Sequence, residues 1–147
     1  MVSMTYKILV VVQSLSGNTF SFVEYTKENF SSHEYTIVEP RALLRDANII
    51  GSFENFDKIM IGAYTWDMGK IPAHMKRWLI ENRKQLMEQD CLIFGSGWSI
   101  YETYCKAVES MNFILDNKFN TVKFELRFDQ SVEVEAVKTL EDWMEEK

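Results

Sequence analysis

Along the chain, short apolar runs alternate with amphipathic stretches. The run Ile8-Leu9-Val10-Val11-Val12 is rich in β-branched residues and suits a strand buried on both faces. It stops at Gln13-Ser14-Leu15-Ser16-Gly17-Asn18-Thr19, and Phe20 to Lys27 is then helix-competent. Glu34 to Glu39 alternates polar and apolar residues in the manner of an edge strand and is stopped by Pro40. Arg41 to Asn48 reads as a short helical or irregular piece. Asp57 to Ala63 is a third strand, opening into Tyr64-Thr65-Trp66-Asp67-Met68-Gly69-Lys70-Ile71-Pro72. A helix beginning near Pro72 carries Met75, Trp78, Leu79, Leu86 and Met87 at mostly helical spacing.

Asp90 to Gly95 is a fourth strand and opens into Ser96-Gly97-Trp98-Ser99-Ile100-Tyr101-Glu102. The next helix places Tyr104, Val108, Met111, Ile114 and Leu115 on one side. Thr121 to Leu126 alternates as an edge strand should, and a closing helix from about Val132 to Glu146 turns Val134, Val137, Leu140, Trp143 and Met144 inward. Five alternations of strand and helix predict an α/β fold, an open parallel sheet sandwiched by helices with right-handed crossovers. For strands ordered 2-1-3-4-5, the order reverses between the first and the third, and ligands bind outside the carboxyl ends there. At 147 residues the chain is expected to form a single domain over 1–147.

Three loops therefore leave one edge of the sheet, and each carries distinctive chemistry. In the first, Ser14, Ser16, Asn18 and Thr19 offer hydroxyls and an amide, and Gly17 permits close backbone approach. A strand that empties into such a turn and then a helix leaves backbone N–H groups ready to receive an anion. With no lysine or arginine in the loop, a single phosphate monoester suits it; G-x-x-x-x-G-K-[ST] and G-x-G-x-x-G are both absent. The alternative for this loop taken alone is ordinary helix capping by Ser and Asn. The other two loops pair large aromatics, Trp66 and Trp98 with Tyr101, with nearby glycines, which is what a flat ring system would use. A phosphate pocket beside aromatic walls fits a flavin mononucleotide better than a sugar phosphate.

Composition narrows the classes. A formal charge of −6 argues against nucleic acid and favours a basic protein partner. Cys91 and Cys105 form no C-x-x-C pair and read as reduced small hydrophobes, while His33 and His74 stand apart, so no metal site is expected. The longest apolar run is too short for a bilayer and no signal-peptide pattern opens the chain, so a cytoplasmic location is expected.

On these three loops the chain resembles the short-chain flavodoxins from end to end. Ser14-Leu15-Ser16-Gly17-Asn18-Thr19 is similar to their T-x-T-G-N-T phosphate loop, and Tyr64-Thr65-Trp66-Asp67-Met68-Gly69-Lys70-Ile71-Pro72 to their Y-T-W-x-x-G-x-L-P loop. Phe94-Gly95-Ser96-Gly97 with Tyr101 is similar to the third. The resemblance implies a flavodoxin-like three-layer sandwich with a five-stranded parallel sheet, and FMN as cofactor. It implies that Ser14, Ser16, Asn18 and Thr19, with the backbone of Leu15 and Gly17, hold the phosphate. Trp66 would cover one face of the isoalloxazine and Tyr101 the other. The backbone from Tyr64 through Thr65, Asp67 and Met68 to Gly69, and from Gly95 through Ser96, Gly97 and Trp98 to Tyr101, would bond the ring edge. The role of Trp98 stays open, as a ring contact, a surface residue or a partner contact.

Two departures bear on redox tuning. Asp67 stands where flavodoxins often have glycine, so a peptide flip toward the flavin is expected to cost more. Lys70 lies in a segment that is commonly acidic, and a cation there would favour the fully reduced anionic flavin. The implied function is a low-potential one-electron carrier, a monomer served by basic partners such as a flavodoxin reductase, rather than an enzyme with its own substrate. A second resemblance is to the flavodoxin-like activators of class Ib ribonucleotide reductase, carried by Ser16-Gly17-Asn18-Thr19 with Phe22-Val23, by Gly69-Lys70-Ile71-Pro72 and by Lys123-Phe124-Glu125-Leu126; it would make a reductase subunit the partner. A signalling domain on the same architecture would need an acidic cluster ending the first strand, where Val11-Val12-Gln13 has none.

Overall fold

The structure, a computed structural model, describes residues 5–13, 18–64, 72–97, 106–115, 120–125 and 134–145. In chain order these form β1 (Lys7–Gln13), α1 (Asn18–Asn29), β2 (Glu34–Val38), α2 (Pro40–Arg45), β3 (Lys58–Tyr64), α3 (Ala73–Leu86), β4 (Cys91–Gly97), α4 (Lys106–Ile114), β5 (Asn120–Glu125) and α5 (Val134–Glu145). Every pairing is parallel, and the sheet order is β2-β1-β3-β4-β5. The reversal of order thus falls between β1 and β3.

The period-two pleat sorts the apolar runs onto two faces. Leu9 and Val11 of β1, Ile59 and Ile61 of β3, and Ile93 of β4 pack with Leu43 of α2, with Met75, Trp78 and Leu79 of α3, and with Val108 and Met111 of α4. Ile8, Val10, Val12, Met60, Leu92 and Phe94 face the other way, against Phe22 and Val23 of α1 and Leu140, Trp143 and Met144 of α5. Helices therefore cover both faces, and each fully buried Val, Leu or Ile contributes roughly 1.5–3 kcal/mol.

The boundaries differ from the sequence reading in one place that matters for the site. Ser96 and Gly97 are the last residues of β4 rather than the start of a loop. The ladder explains this: Tyr64 pairs with Ser96 and Gly97 pairs with Glu125, so β4 is held from both sides despite the low strand preference of glycine. The short piece expected over Arg41 to Asn48 resolves into α2 and a 3-10 turn, Ala47–Ile49, and a second 3-10 turn, Phe53–Asn55, precedes β3. Asp46 Oδ1 accepts the Asn48 N–H at 3.0 Å and Ser52 Oγ accepts the Glu54 N–H at 3.2 Å, which starts each turn.

At the amino edge of the sheet Lys58 is buried, which is rare for a lysine unless its charge is paired. Its Nζ donates to Asp90 Oδ2 at 2.7 Å and to the Trp143 carbonyl at 2.8 Å. Trp143 Nε1–H donates to Asp90 Oδ1 at 2.9 Å, and Nζ lies 4.7 Å from the Trp143 ring centroid. The ammonium thus satisfies a carbonyl in the last turn of α5 and pins that helix to the start of β3.

Candidate functional site

β1 ends at Gln13, β3 at Tyr64 and β4 at Gly97, and these three strands are neighbours. Gln13 pairs with Ala63, Ala63 with Gly95, and Tyr64 with Ser96, so the ends lie level with one another. At the usual strand spacing of about 4.8 Å, β1 to β4 spans roughly 10 Å. By chain continuity the segments 14–17, 65–71 and 98–105 all begin along this short edge.

Of the candidate residues, Asn18 and Thr19 open α1, Tyr64 closes β3, and Gly95, Ser96 and Gly97 close β4. Ser14, Leu15, Ser16, Gly17, Thr65, Trp66, Asp67, Met68, Gly69, Trp98 and Tyr101 lie outside the described residues, as does Lys70. The structure thus brings together the anchor points of all three loops.

Several contacts that the sequence reading missed fix those anchors. Gln13 Oε1 accepts the Met75 N–H at 3.0 Å, tying the end of β1 to the first turn of α3. The signal was present as a polar residue closing an apolar run, but its partner is 62 positions away. Phe22 of α1 packs on Phe94 of β4 with centroids 5.1 Å apart, which seats α1 across the sheet. Gly62 makes this possible, because a Cβ there would lie 2.2 Å from the Phe94 ring. Gly95 has a packing reason of its own: a Cβ would stand 2.4 Å from Val108 Cγ2 and 3.0 Å from the Ala63 carbonyl oxygen.

The electrostatics of the edge favour an anion. Among the described residues neither α1 nor α3 carries an acidic residue in its first turn to offset the partial positive charge of the helix start. Pro72 precedes α3 and caps nothing with its own side chain, and the Met75 N–H in that turn is already taken by Gln13. These donors are neutral and fixed, which fits a phosphate monoester held by backbone N–H groups and hydroxyls. Among the described residues the groups whose titration is displaced lie elsewhere. His33, just before β2, is lowered by burial and then by the Lys58 charge; burial raises Tyr35 in β2 to about 12; and Cys91, at the start of β4, is raised by burial and then by Asp90. The described part of the edge therefore offers binding groups rather than a tuned acid or base.

A cleft of about 210 Å³ opens elsewhere, between the 3-10 turns and α3, lined by Leu43, Ile50, Phe53, Trp78, Asn82 and Gln85. It lies toward the amino edge. Among the described residues no three His, Cys, Asp or Glu side chains gather as a metal site, and no helix is long and apolar enough to cross a membrane.

Comparison with known proteins places this arrangement. Probable flavodoxin 1 of Bacillus subtilis is 29% identical over 136 residues, 88% of this chain and 84% of that protein. Probable flavodoxin 2 of the same organism is 29% identical over 108 residues, 71% of this chain and 69% of its own. Among solved structures, a Streptococcus pneumoniae TIGR4 flavodoxin superposes with a TM-score of 0.66 at 23% identity, covering 95% of each chain. A Fusobacterium nucleatum flavodoxin variant bound to flavin mononucleotide superposes with a TM-score of 0.59 at 16% identity, covering 97% of this chain and 95% of that one. The flavodoxin family model matches residues 10–143, from the middle of β1 to the last turn of α5, and the chain belongs to the flavodoxin family.

Proposed function

We propose that this chain binds FMN at the carboxyl ends of β1, β3 and β4 and carries single electrons between partner proteins. The observation that carries the reading is the level alignment of those three strand ends, from which the hydroxyl loop, the Trp66 loop and the Tyr101 loop all depart. Family membership and the FMN-bound Fusobacterium nucleatum relative support it.

In this reading the start of α1 and the hydroxyls of Ser14, Ser16 and Thr19 hold the phosphate, while Trp66 and Tyr101 enclose the ring. The flavin supplies reversible uptake and release of electrons. The chain's own work is to hold the ring rigidly, to exclude water from its faces, and to present one edge to partners. Rigidity at the described end comes from the Gln13–Met75 bond and the Phe22–Phe94 contact, which fix the helices on either side of the hydroxyl loop. Net charge of −6 supports basic redox partners, such as a flavodoxin reductase, meeting the protein in complexes that weaken with salt.

The test is a relay assay. FMN-loaded protein, placed between a flavodoxin reductase and cytochrome c, is expected to accelerate cytochrome reduction in proportion to its concentration. Loaded protein that takes no electrons from the reductase, yet supports activation of a manganese-loaded ribonucleotide reductase subunit, would overturn the carrier reading in favour of the activator.

A further inference from the structure

The two helix layers carry opposite charge. Over their lengths α2, α3 and α4 hold seven lysines or arginines against two acids, whereas α1 and α5 hold two lysines against six acids. These two sets of helices cover opposite faces of the sheet. In a chain whose net charge is −6, the α3 side is a local inversion of sign.

That side also exposes two large apolar side chains. Helical periodicity lines up Arg77, Ile80 and Lys84 on the outward stripe of α3, with Lys76 and Arg83 beside them, and all five are exposed. Ile80 is 56% exposed. Arg83 Nε donates to the Ile114 carbonyl at 2.6 Å, which holds the end of α4 against α3. The residue before that carbonyl, Phe113, is 86% exposed, the most exposed of the large apolar side chains on the described surface. Glu81 is the sole acid on α3 and is paired with Arg77 at 2.8 Å. Apolar side chains ringed by charge are the usual layout of a protein-docking patch.

We propose that this face, Lys76, Arg77, Ile80, Arg83 and Lys84 of α3 with Phe113 of α4, docks an acidic protein surface. Carboxylates of the partner meet the cations, and an apolar side chain of the partner covers Ile80 and Phe113. A phosphate backbone would leave both apolar residues uncovered, and a net charge of −6 opposes a polyanion at longer range. The face runs down α3 from Lys76 to Lys84 and meets the end of α4 at Phe113, so a partner seated on it lies on the outer side of that helix layer, toward the amino edge. The basic partner expected from net charge would use the α1 and α5 side instead. This proposal stands independently of what occupies the strand ends.

The experiment is an NMR titration of the 15N-labelled full chain at low ionic strength with a glutamate-rich peptide carrying two leucines. Shifts are expected on Lys76 to Lys84 and around Phe113, in both FMN-free and FMN-loaded protein. The double variant Arg77→Glu/Lys84→Glu is expected to lose binding by about tenfold or more, and raising salt to weaken it in step. Phe113→Ala is expected to bind the peptide several-fold less tightly, while a peptide with its leucines replaced by serine is expected to ignore that change. Unchanged melting of the variants confirms that surface chemistry alone was altered. The proposal is overturned by shifts on α1 or α5, by equal binding to the charge-reversed variant, or by tighter binding of a single-stranded oligonucleotide of matched charge.

Discussion

Replacing Asp90 by alanine strips the carboxylate from an ammonium that is only 2% exposed, whereas replacing Lys58 by methionine strips the ammonium from a carboxylate that is 39% exposed. The two halves of this ion pair should therefore be unequal. In Asp90→Ala the buried Lys58 retains the Trp143 carbonyl and the flanking rings but no carboxylate within the pair, and an uncompensated buried charge costs about 3–5 kcal/mol. The retained contacts place the expected loss near the lower figure, about 3 kcal/mol. In Lys58→Met the thioether side chain keeps the volume filled, and Asp90 still accepts the Trp143 indole N–H and is reached by water. The loss is then the Trp143 carbonyl left without its donor, about 1 kcal/mol, plus the bond to the half-exposed Asp90, up to about 1 kcal/mol, together about 2 kcal/mol. At about 3 °C per kcal/mol for a chain of this size, the melting points should fall by about 9 °C and about 6 °C. Urea unfolding of FMN-free protein, read by tryptophan fluorescence, measures both losses without a contribution from ligand. Equal losses, or a greater loss in Lys58→Met, would refute the claim that burial of the lysine sets the cost.

Other consequences can be checked separately. His33 accepts the Tyr6 N–H on Nδ1 at 3.0 Å, and burial followed by the Lys58 charge holds its imidazole below the ordinary 6.5. The unfolded chain then binds the proton first, so stability should be full above pH 6.5 and fall as pH drops through that value toward the lowered one; His33→Gln should flatten this slope in urea titrations. Gly62→Ala places a methyl into the Phe94 ring and should cost about 1–3 kcal/mol, part of it recovered by adding Phe94→Leu, as calorimetry would show. Gln13→Ala removes the acceptor at the start of α3 and should cost about 1 kcal/mol of stability while weakening FMN binding several-fold in fluorescence titrations. In a Cys105→Ser background, Cys91 should resist a thiol reagent until the protein unfolds, because burial and then Asp90 disfavour its thiolate.

The architecture was legible because strand and helix patterns are local. Ile8 to Val12 and Ile59 to Ile61 announce buried strands by composition, and Met75, Trp78, Leu79 and Leu86 announce a helix face by spacing. What escaped was non-local. No local pattern marks Lys58 as buried, because its partners Asp90 and Trp143 lie 32 and 85 residues further on. Ser96 and Gly97 look like loop because glycine and serine disfavour strands, yet pairing with β3 and β5 keeps them in the ladder. The loops of the candidate site were legible as chemistry, through their hydroxyls and aromatics, while the bond that braces them, Gln13 to Met75, depends on a crossover that no local pattern encodes.

The central claim is that the edge formed by β1, β3 and β4 holds a flavin through its phosphate. Its most direct test is a fluorescence-quenching titration of FMN-free protein with FMN and, in parallel, with riboflavin, which has the same ring system and no phosphate. One FMN bound per chain, with riboflavin at least tenfold weaker, is the predicted result. Equal affinity for the two, or no quenching by either, would contradict it.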